Sequence, residues 1–187
     1  MAILDYADPQ KLNGRYLEIY EELPTKPRLN IGKMWANAPH LYVSGQPLVR
    51  AILHDGKLEH DLRELMILTI ARIEGGLYVF VQHIAWALRV GCSQAKIAAV
   101  EKGEFSSDLF SEREAMALRV AEEVIREVRV SEATMLAAKA LFTDLELVEM
   151  IFTTGFYMMM IRLSESTRVD IDAPEGIEVP KSFSRLT

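Results

Sequence analysis

The sequence predicts an all-α protein, a multi-helix bundle built around a central antiparallel helical hairpin. From about Pro39 onward the apolar residues recur at helical spacing, while the alternation typical of strands is nearly absent. Two strongly apolar segments, residues 59–73 and 77–90, are separated only by Gly75 and Gly76, and such a short link is typical of two antiparallel helices. Hydrophobic residues make up 50% of the 187 residues. This is enough for one core, so we expect a single domain over residues 1–187.

The helical segments can be predicted in chain order from their periodicity and from turn residues. They cover about residues 11–23, 39–53, 59–73, 77–90, 93–102, 111–128, 131–142 and 144–166. Pro24, Pro27 and Gly32 interrupt the chain after the first helix, so residues 1–33 are expected to form an N-terminal helix and a loop. The last residues, about 170–187, are predicted to be an irregular tail.

Four residues with short polar side chains are predicted to cap the later helices. Ser93, Ser111, Ser131 and Asp144 each precede a segment with helical periodicity, and residues of these types are favoured at the N-cap. Ser111 and Glu114 also have the spacing of a capping box.

The composition and charge argue against several classes of function. The net charge is -6, and binding to nucleic acid or to an anionic membrane needs clustered basic residues. No signal peptide is visible, and the longest uncharged stretch, residues 150–161, is too short to span a bilayer, so a cytoplasmic protein is expected. Cys92 is the single cysteine, which leaves no disulfide within the chain. His54 and His60 do not share a helical face, and we predict no metal site.

Two ionisable residues stand in segments that are otherwise predicted to be core. Glu64 is followed by Ile67, Leu68 and Ala71 on its own helical face, and His83 lies in an equally apolar segment. Burying either group alone is costly, so each should have a partner, and a hairpin would let the two face each other. One interpretation is a relay in which the carboxylate orients the imidazole for proton transfer. The other is a buried polar pair that only fixes the register of two helices.

Residues 62–93, LRELMILTIARIEGGLYVFVQHIAWALRVGCS, resemble the carboxymuconolactone decarboxylase and alkyl hydroperoxidase D-like superfamily. Members show an R-E-L helix, then a Y-E-W-x-x-H-like helix, then an alanine-rich stretch that ends in Gly and Ser or Thr. Here the three parts are residues 63–65, 78–83 and 91–93. A looser match covers residues 35–53 and the last helix.

The resemblance implies an all-helical fold, a homo-oligomer (commonly a trimer or hexamer), and a site at or near a subunit interface. In the peroxidase branch, a Cys-x-x-Cys-x-x-x-His pattern and an upstream glutamate supply the redox chemistry. Glu64 and His83 fall on the glutamate and histidine of that pattern, whereas the cysteine positions fall on Gly76 and Val79. Dithiol chemistry needs two sulfurs within bonding reach, so a dithiol peroxidase is not expected. Val79 also replaces an acid that the decarboxylase branch often has, which is a departure from lactone decarboxylation.

The resulting prediction is a cofactor-free enzyme of the decarboxylase or lyase type that acts on a small organic acid or lactone. His83 would be the general acid and base and Glu64 its partner, with Tyr78, Gln82 and Trp86 in contact with the substrate. The alternative is a non-catalytic homo-oligomeric helical protein that keeps the fold without the chemistry. A catalytic pair should border a cavity with room for a substrate, whereas a structural pair should be packed shut.

Other residues with suggestive side chains receive less specific predictions. Arg72 and Arg162 could hold a substrate carboxylate, but surface salt bridges are the more common use of such residues. Tyr157 and the methionines at 158–160 are expected to fill the core or an interface, or to line an apolar pocket.

Overall fold

The computed structural model describes residues 1–23 and 25–183, and no strand occurs in these ranges. The helices are α1 Gly14–Glu21, α2 Asn30–Trp35, α3 Pro39–Arg50, α4 His60–Glu74, α5 Leu77–Arg89, α6 Gln94–Lys102, α7 Glu112–Glu127, α8 Glu132–Lys139 and α9 Asp144–Thr167. A 3-10 turn, Pro9–Lys11, precedes α1, and a π-helical turn, Ala51–Asp55, continues α3. The predicted all-α class is confirmed.

Helix α4 forms the centre of the fold. Every residue from Leu62 to Ala71 is buried, as the nearly all-round apolar sequence predicts. The helix packs against α5, α6, α7 and α9. Because its whole circumference is covered, the polar side chains on α4 must find partners inside the protein.

The link between α4 and α5 depends on two glycines for different reasons. Gly75 ends α4 in the left-handed conformation at φ 74°, which favours glycine. At Gly76, a Cβ atom would lie 2.6 Å from Cγ1 of Ile161. The second glycine therefore lets α9 pack closely against the start of α5.

The predicted helix boundaries hold for most elements; α1 starts at Gly14 instead of Lys11, and three further predictions fail. Ser93, Ser111 and Ser131 cap α6, α7 and α8, and the capping box of Ser111 is present. The N-cap of α9 is Thr143, not Asp144, because Thr143 forms a capping box with Glu146.

The other two failures concern short segments. Helix α8 ends at Lys139, three residues before the predicted end, and α2 forms inside the segment that was expected to be a loop. Pro24 and residues 184–187 of the predicted tail lie outside the described residues.

Two aspartates that follow α9 form hydrogen bonds with the N-terminal segment and with the start of α2. The Asp170 carboxylate accepts hydrogen bonds from the Tyr6 hydroxyl at 3.0 Å and from the Ala2 N–H at 3.3 Å. The Asp172 carboxylate accepts one from the Asn30 N–H, at the start of α2, at 2.9 Å. These contacts attach the N-terminal segment and the start of α2 to the residues that follow α9.

Helix α9 is long and apolar enough, by length and composition alone, to cross a membrane. Half of its most apolar window is buried inside the fold, where the helix packs against α4, α5 and α7. This packing is that of a core helix in a helical domain.

Candidate active site

The site is built on a hydrogen bond between α4 and α5. Oε2 of Glu64 lies 2.6 Å from Nδ1 of His83. The Glu64 side chain is 3% exposed and that of His83 is 13% exposed. The two residues predicted to pair are therefore in direct contact.

Arg63 contacts the same carboxylate from the other side. Its Nη2 lies 3.3 Å from Oε1 of Glu64, so the two oxygens hold Arg63 and His83 on either side. Burial raises the pKa of Glu64, but the charges and hydrogen bonds of His83 and then of Arg63 outweigh burial and leave the pKa below its ordinary value. Glu64 is therefore ionised at neutral pH, although it is buried.

A pocket of about 450 Å³ opens beside the Glu64–His83 pair. Its inner wall is formed by the pocket-lining residues between 60 and 90 and between 156 and 160, from α4, α5 and α9. Its outer wall is formed by those between 27 and 54, from α2, α3 and the adjoining segments. A volume of this size accommodates a small organic molecule.

The imidazole of His83 has one nitrogen bound and one available. Nδ1 faces Glu64, while Nε2 has no hydrogen-bond partner among residues 1–23 and 25–183. His83 lines the pocket. When Nδ1 carries the proton that it donates to the ionised Glu64, Nε2 is left as the hydrogen-bond acceptor and can act as a base toward a bound molecule.

Tyr157 of α9 completes the inner wall next to His83. Its ring meets the imidazole edge-on at 4.9 Å between centroids. Burial and then the nearby Glu64 charge raise the pKa of Tyr157, so the hydroxyl stays protonated. The outer wall faces this cluster with Trp35, whose ring fits because α3 has Gly45 where a Cβ would lie 2.3 Å from the indole.

The three residues predicted to contact a substrate all line the pocket, but two have polar groups that are already bound. The Tyr78 hydroxyl donates to Oδ1 of Asp172 at 2.6 Å and accepts from the Ile31 N–H at 3.3 Å. The Gln82 amide donates to the Asp172 carbonyl oxygen at 2.6 Å. Trp86 is half exposed, with the Arg89 guanidinium 5.3 Å from its ring. Substrate contact through these three residues stays a prediction.

The arginines considered as carboxylate clamps are used elsewhere. Arg162 forms an ion pair with Glu74, and the Arg72 guanidinium lies 5.3 Å from the Phe183 ring. Neither residue is part of the pocket lining. The basic residue that the pocket does contain beside the pair is Arg63.

Cys92 lies away from the pocket and is poorly suited to be a nucleophile. Its thiol donates to the Asp61 carbonyl oxygen at 3.4 Å. Burial, followed by the charges of Asp61 and Glu64, raises its pKa to about 12.

His54 and His60 line the pocket, and within the described ranges no three His, Cys, Asp or Glu side chains form a group that could hold a metal.

Sequence reasoning did not single out Arg63 and Tyr157 as site residues. Arg63 enters the sequence analysis only as the first residue of the R-E-L segment, and Tyr157 only as core, interface or pocket filling. A signal for Arg63 was available, because a basic residue inside the apolar run 62–71 needs a buried partner just as Glu64 does. Nothing comparable marks Tyr157, since aromatic residues are common in apolar helices.

The sequence model of the carboxymuconolactone decarboxylase family matches residues 46–123. This segment contains α4, α5 and the Glu64–His83 pair. This segment of the chain is therefore similar to the carboxymuconolactone decarboxylase family. A search of curated proteins gives no match.

Several solved structures share the fold of this chain. An uncharacterized peroxidase-related protein from Ralstonia eutropha JMP134, described as an alkylhydroperoxidase AhpD core, has a TM-score of 0.75 at 19% identity, covering 91% of this chain and 92% of that one. An uncharacterized peroxidase-related protein from Silicibacter sp. TM1040 has a TM-score of 0.72 at 19% identity, covering 90% and 91%. The debrominase Bmp8, as a cysteine-to-alanine variant in complex with 2,3,4-tribromopyrrole, has a TM-score of 0.66 at 18% identity, covering 77% and 80%.

Gly76 and Val79 stand at the two positions where the resemblance to the peroxidase branch implies cysteines. Gly76 lies against Ile161, so a side chain at this position would force the Ile161 side chain to move. Val79 forms part of the apolar inner wall. The two positions serve packing and pocket shape.

Proposed function

We propose that this chain is a cofactor-free enzyme in which His83 transfers a proton to or from a small organic acid or lactone, in a reaction of the decarboxylase or lyase type. Glu64 is the partner that orients the imidazole and stabilises its protonated form. The observation that carries the proposal is the free Nε2 of His83 in a pocket of about 450 Å³.

The direction of proton movement follows from the hydrogen bond. Nδ1 of His83 donates to Glu64, so Nε2 can remove a proton from a C–H group and return it to another atom of the same substrate. In a decarboxylation, Nε2 first takes a proton from water; the bond between the substrate carbon and its carboxylate then breaks, CO₂ leaves, and the electron pair moves into an unsaturated group of the substrate. The pair returns to carbon as Nε2 delivers its proton there, which leaves the imidazole neutral again. Both routes use acid–base chemistry alone.

The non-catalytic alternative predicts a different environment for the pair. A polar pair that only fixed helix register would be packed shut, since filling the space stabilises a core. Here the space beside His83 is open and lined by aromatic and apolar side chains. This favours the enzymatic proposal.

The experiment follows hydrogen exchange at substrate carbon. A panel of small β-keto acids, unsaturated acids and lactones is incubated with the protein in D₂O, and loss of C–H signal and release of CO₂ are recorded. With a responsive compound, His83→Gln should lower the rate by about 10² to 10⁴-fold. His40→Gln is the matched control, because His40 lies outside the pocket. A correctly folded His83→Gln protein that is as fast as the wild type contradicts the proposal.

We also propose that the chain forms a homo-oligomer, a trimer or hexamer, through α9 and organises its site around the hairpin of α4 and α5. One face of α9 carries exposed apolar residues at helical spacing, namely Leu145, Val148, Phe152 and Met159. Exposed apolar faces of this kind mark interfaces. Sedimentation equilibrium should give a multiple of the 21.2 kDa chain mass, and Phe152→Glu should shift it toward the monomer. A monomeric wild-type protein at micromolar concentration contradicts this part.

A further inference from the structure

Arg63 is a buried arginine with most of its hydrogen-bond donors unused. The residue is 6% exposed and lines the pocket. Its two contacts are long: Nη2 lies 3.3 Å from Glu64 and Nη1 lies 3.5 Å from the Ile52 carbonyl oxygen. Its Nε has no partner. Charge-assisted hydrogen bonds are usually about 2.7–2.9 Å long, and a buried guanidinium is stable only when well paired. These contacts leave the guanidinium incompletely paired, and a closer anion would stabilise it.

Glu64 cannot fully supply that anion, because its other oxygen is engaged by His83 at 2.6 Å. Glu64 is also the one acidic side chain in the pocket lining that the structure describes. The same lining contains the cations Arg28 and Arg63 and three histidines, although the chain as a whole carries a net charge of -6. The pocket thus attracts a negative group where the protein overall does not.

Tyr157 offers a second donor at the same end of the pocket. Its hydroxyl makes no hydrogen bond to another residue of the described chain, and its ring packs on His83. Arg63, Glu64, His83 and Tyr157 all line the same pocket. A buried tyrosine hydroxyl normally finds a partner.

The rest of the pocket is apolar and aromatic. Trp35, Tyr42, Val79, Trp86, Phe156 and Met160 are the side chains that supply most of this surface. A ligand that satisfies both ends must carry an anionic head and an apolar or aromatic body.

We propose that Arg63 and Tyr157 bind the carboxylate of a small carboxylic acid whose ring or apolar body lies between the aromatic side chains of the two walls. The inference rests on the proposed function in one respect, that the site beside His83 takes a substrate. Ion pairing with Arg63 stabilises the bound carboxylate, so this group anchors the molecule and is not the group lost as CO₂. The anchored acid then presents its neighbouring carbon to Nε2 of His83.

Intrinsic fluorescence can test this proposal directly, because the chain has two tryptophans, Trp35 and Trp86, and both line the pocket. The probes are benzoate, phenylacetate and cinnamate, each compared with its neutral amide of nearly equal shape. We expect saturable fluorescence changes with the carboxylates and at least 10-fold weaker binding of the amides, which is the effect of losing a hydrogen-bonded ion pair. Equal binding of acid and amide, or no saturable change with any carboxylate at millimolar concentration, overturns the proposal.

Variants assign the effect to Arg63. Arg63→Gln removes the charge and should weaken carboxylate binding by at least 10-fold while leaving amide binding within a few-fold, and Arg63→Lys should retain part of the preference. Tyr157→Phe should weaken the same carboxylates by a few-fold. Arg72→Gln is the matched control outside the pocket and should change nothing. A folded Arg63→Gln protein that keeps the full carboxylate preference overturns the assignment, and the comparison of acids with amides on the wild type stays decisive if that variant does not fold.

The two proposals fail in different ways. If carboxylates and amides bind alike but His83→Gln abolishes exchange chemistry, the carboxylate anchor is wrong and the proposed function stands. If carboxylates bind through Arg63 but His83→Gln changes no rate, the anchor stands and the proposed function is wrong.

Discussion

The two walls of the pocket are built in different ways. The inner wall consists of helices from the core of the fold, and it carries the buried charges of Arg63 and Glu64, with Arg63 and His83 each in direct contact with the Glu64 carboxylate. The outer wall comes from residues 27–54. Its Asn30 donates a backbone hydrogen bond to Asp172, which also accepts hydrogen bonds from Tyr78 and Gln82 of α5.

We infer from this difference that the inner wall carries out the chemistry and that the outer wall controls access to the pocket. Charges on buried helices are fixed in position by packing, which suits groups that must hold and move a proton. A wall that depends on a few polar contacts can differ in shape without disturbing those charges. We therefore expect changes in the inner wall to affect stability and turnover together, and changes in the outer wall to affect mainly entry and selectivity.

The largest effect on stability is expected from Glu64→Gln. The substitution leaves the Arg63 guanidinium buried without a carboxylate, and breaking a buried pair in this way costs about 3–5 kcal/mol of the free energy of unfolding. Chemical denaturation measures it. Glu74→Gln is the matched control, because Glu74 pairs with the half-exposed Arg162 and such pairs contribute about 0–1 kcal/mol. An equal loss of unfolding free energy in the two variants would show that the buried ion pair of the inner wall contributes no more to stability than an exposed one.

The same carboxylate should make stability depend on pH in the acid range. Glu64 has a pKa below its ordinary value of 4.5 in the folded protein, so the unfolded chain binds its proton first. The contribution of Glu64 to the free energy of unfolding is complete above pH 4.5. It is lost as the pH falls toward the pKa of Glu64 in the folded protein, by at most about 1.4 kcal/mol per pH unit for one proton. The difference in unfolding free energy between wild type and Glu64→Gln should therefore shrink as the pH is lowered. A difference that stays constant from neutral to acid pH contradicts the assignment.

A smaller effect is expected in the outer wall from Asp172→Ala. Tyr78, Gln82 and the Asn30 N–H all lose an acceptor, which should cost about 1–3 kcal/mol. In a Trp86→Phe background, Trp35 alone reports on the outer wall, and its quenching by acrylamide should increase. Asp108→Ala, at an exposed position, serves as the control. Unchanged quenching with unchanged stability would mean that Asp172 does not hold this wall.

The smallest effect is expected at Cys92. Burial keeps the pKa of its thiol near 12, so very little thiolate exists at neutral pH and the thiol should react slowly with iodoacetamide. Cys92→Ser should leave any turnover essentially unchanged. Rapid alkylation accompanied by loss of activity would place a reactive sulfur in the chemistry after all.

The inner wall was more accessible to sequence reasoning than the outer wall. Helical periodicity is a local property, so it predicts α4 and α5, and the cost of burying lone charges then predicts that Glu64 and His83 meet. The outer wall depends on contacts between distant positions, such as Asn30 with Asp172, and nothing in local spacing indicates them. The same limit explains why Tyr78 and Gln82 were expected to be free for a substrate, when the segment after α9 occupies their polar groups.

Helix boundaries show the same division on a smaller scale. The caps at Ser93, Ser111 and Ser131 follow from side chains that bond their own helix. At α9, both Thr143 and Asp144 are good capping residues, and the capping box with Glu146 decides for Thr143. The π-helical turn Ala51–Asp55 was not predicted. The residues just after this turn, Lys57 and Leu58, donate backbone hydrogen bonds to the Glu149 carboxylate of α9. This long-range contact has no local sequence signal.

The most direct test of the central claim is a crystal structure of the protein with phenylacetate bound. The account predicts the carboxylate within hydrogen-bond distance of the Arg63 guanidinium and the Tyr157 hydroxyl, and the adjacent carbon about 3–3.5 Å from Nε2 of His83. Nδ1 of His83 should remain on Glu64. A ligand bound elsewhere, or a pocket closed by side chains that bond Nε2 of His83, would contradict the account.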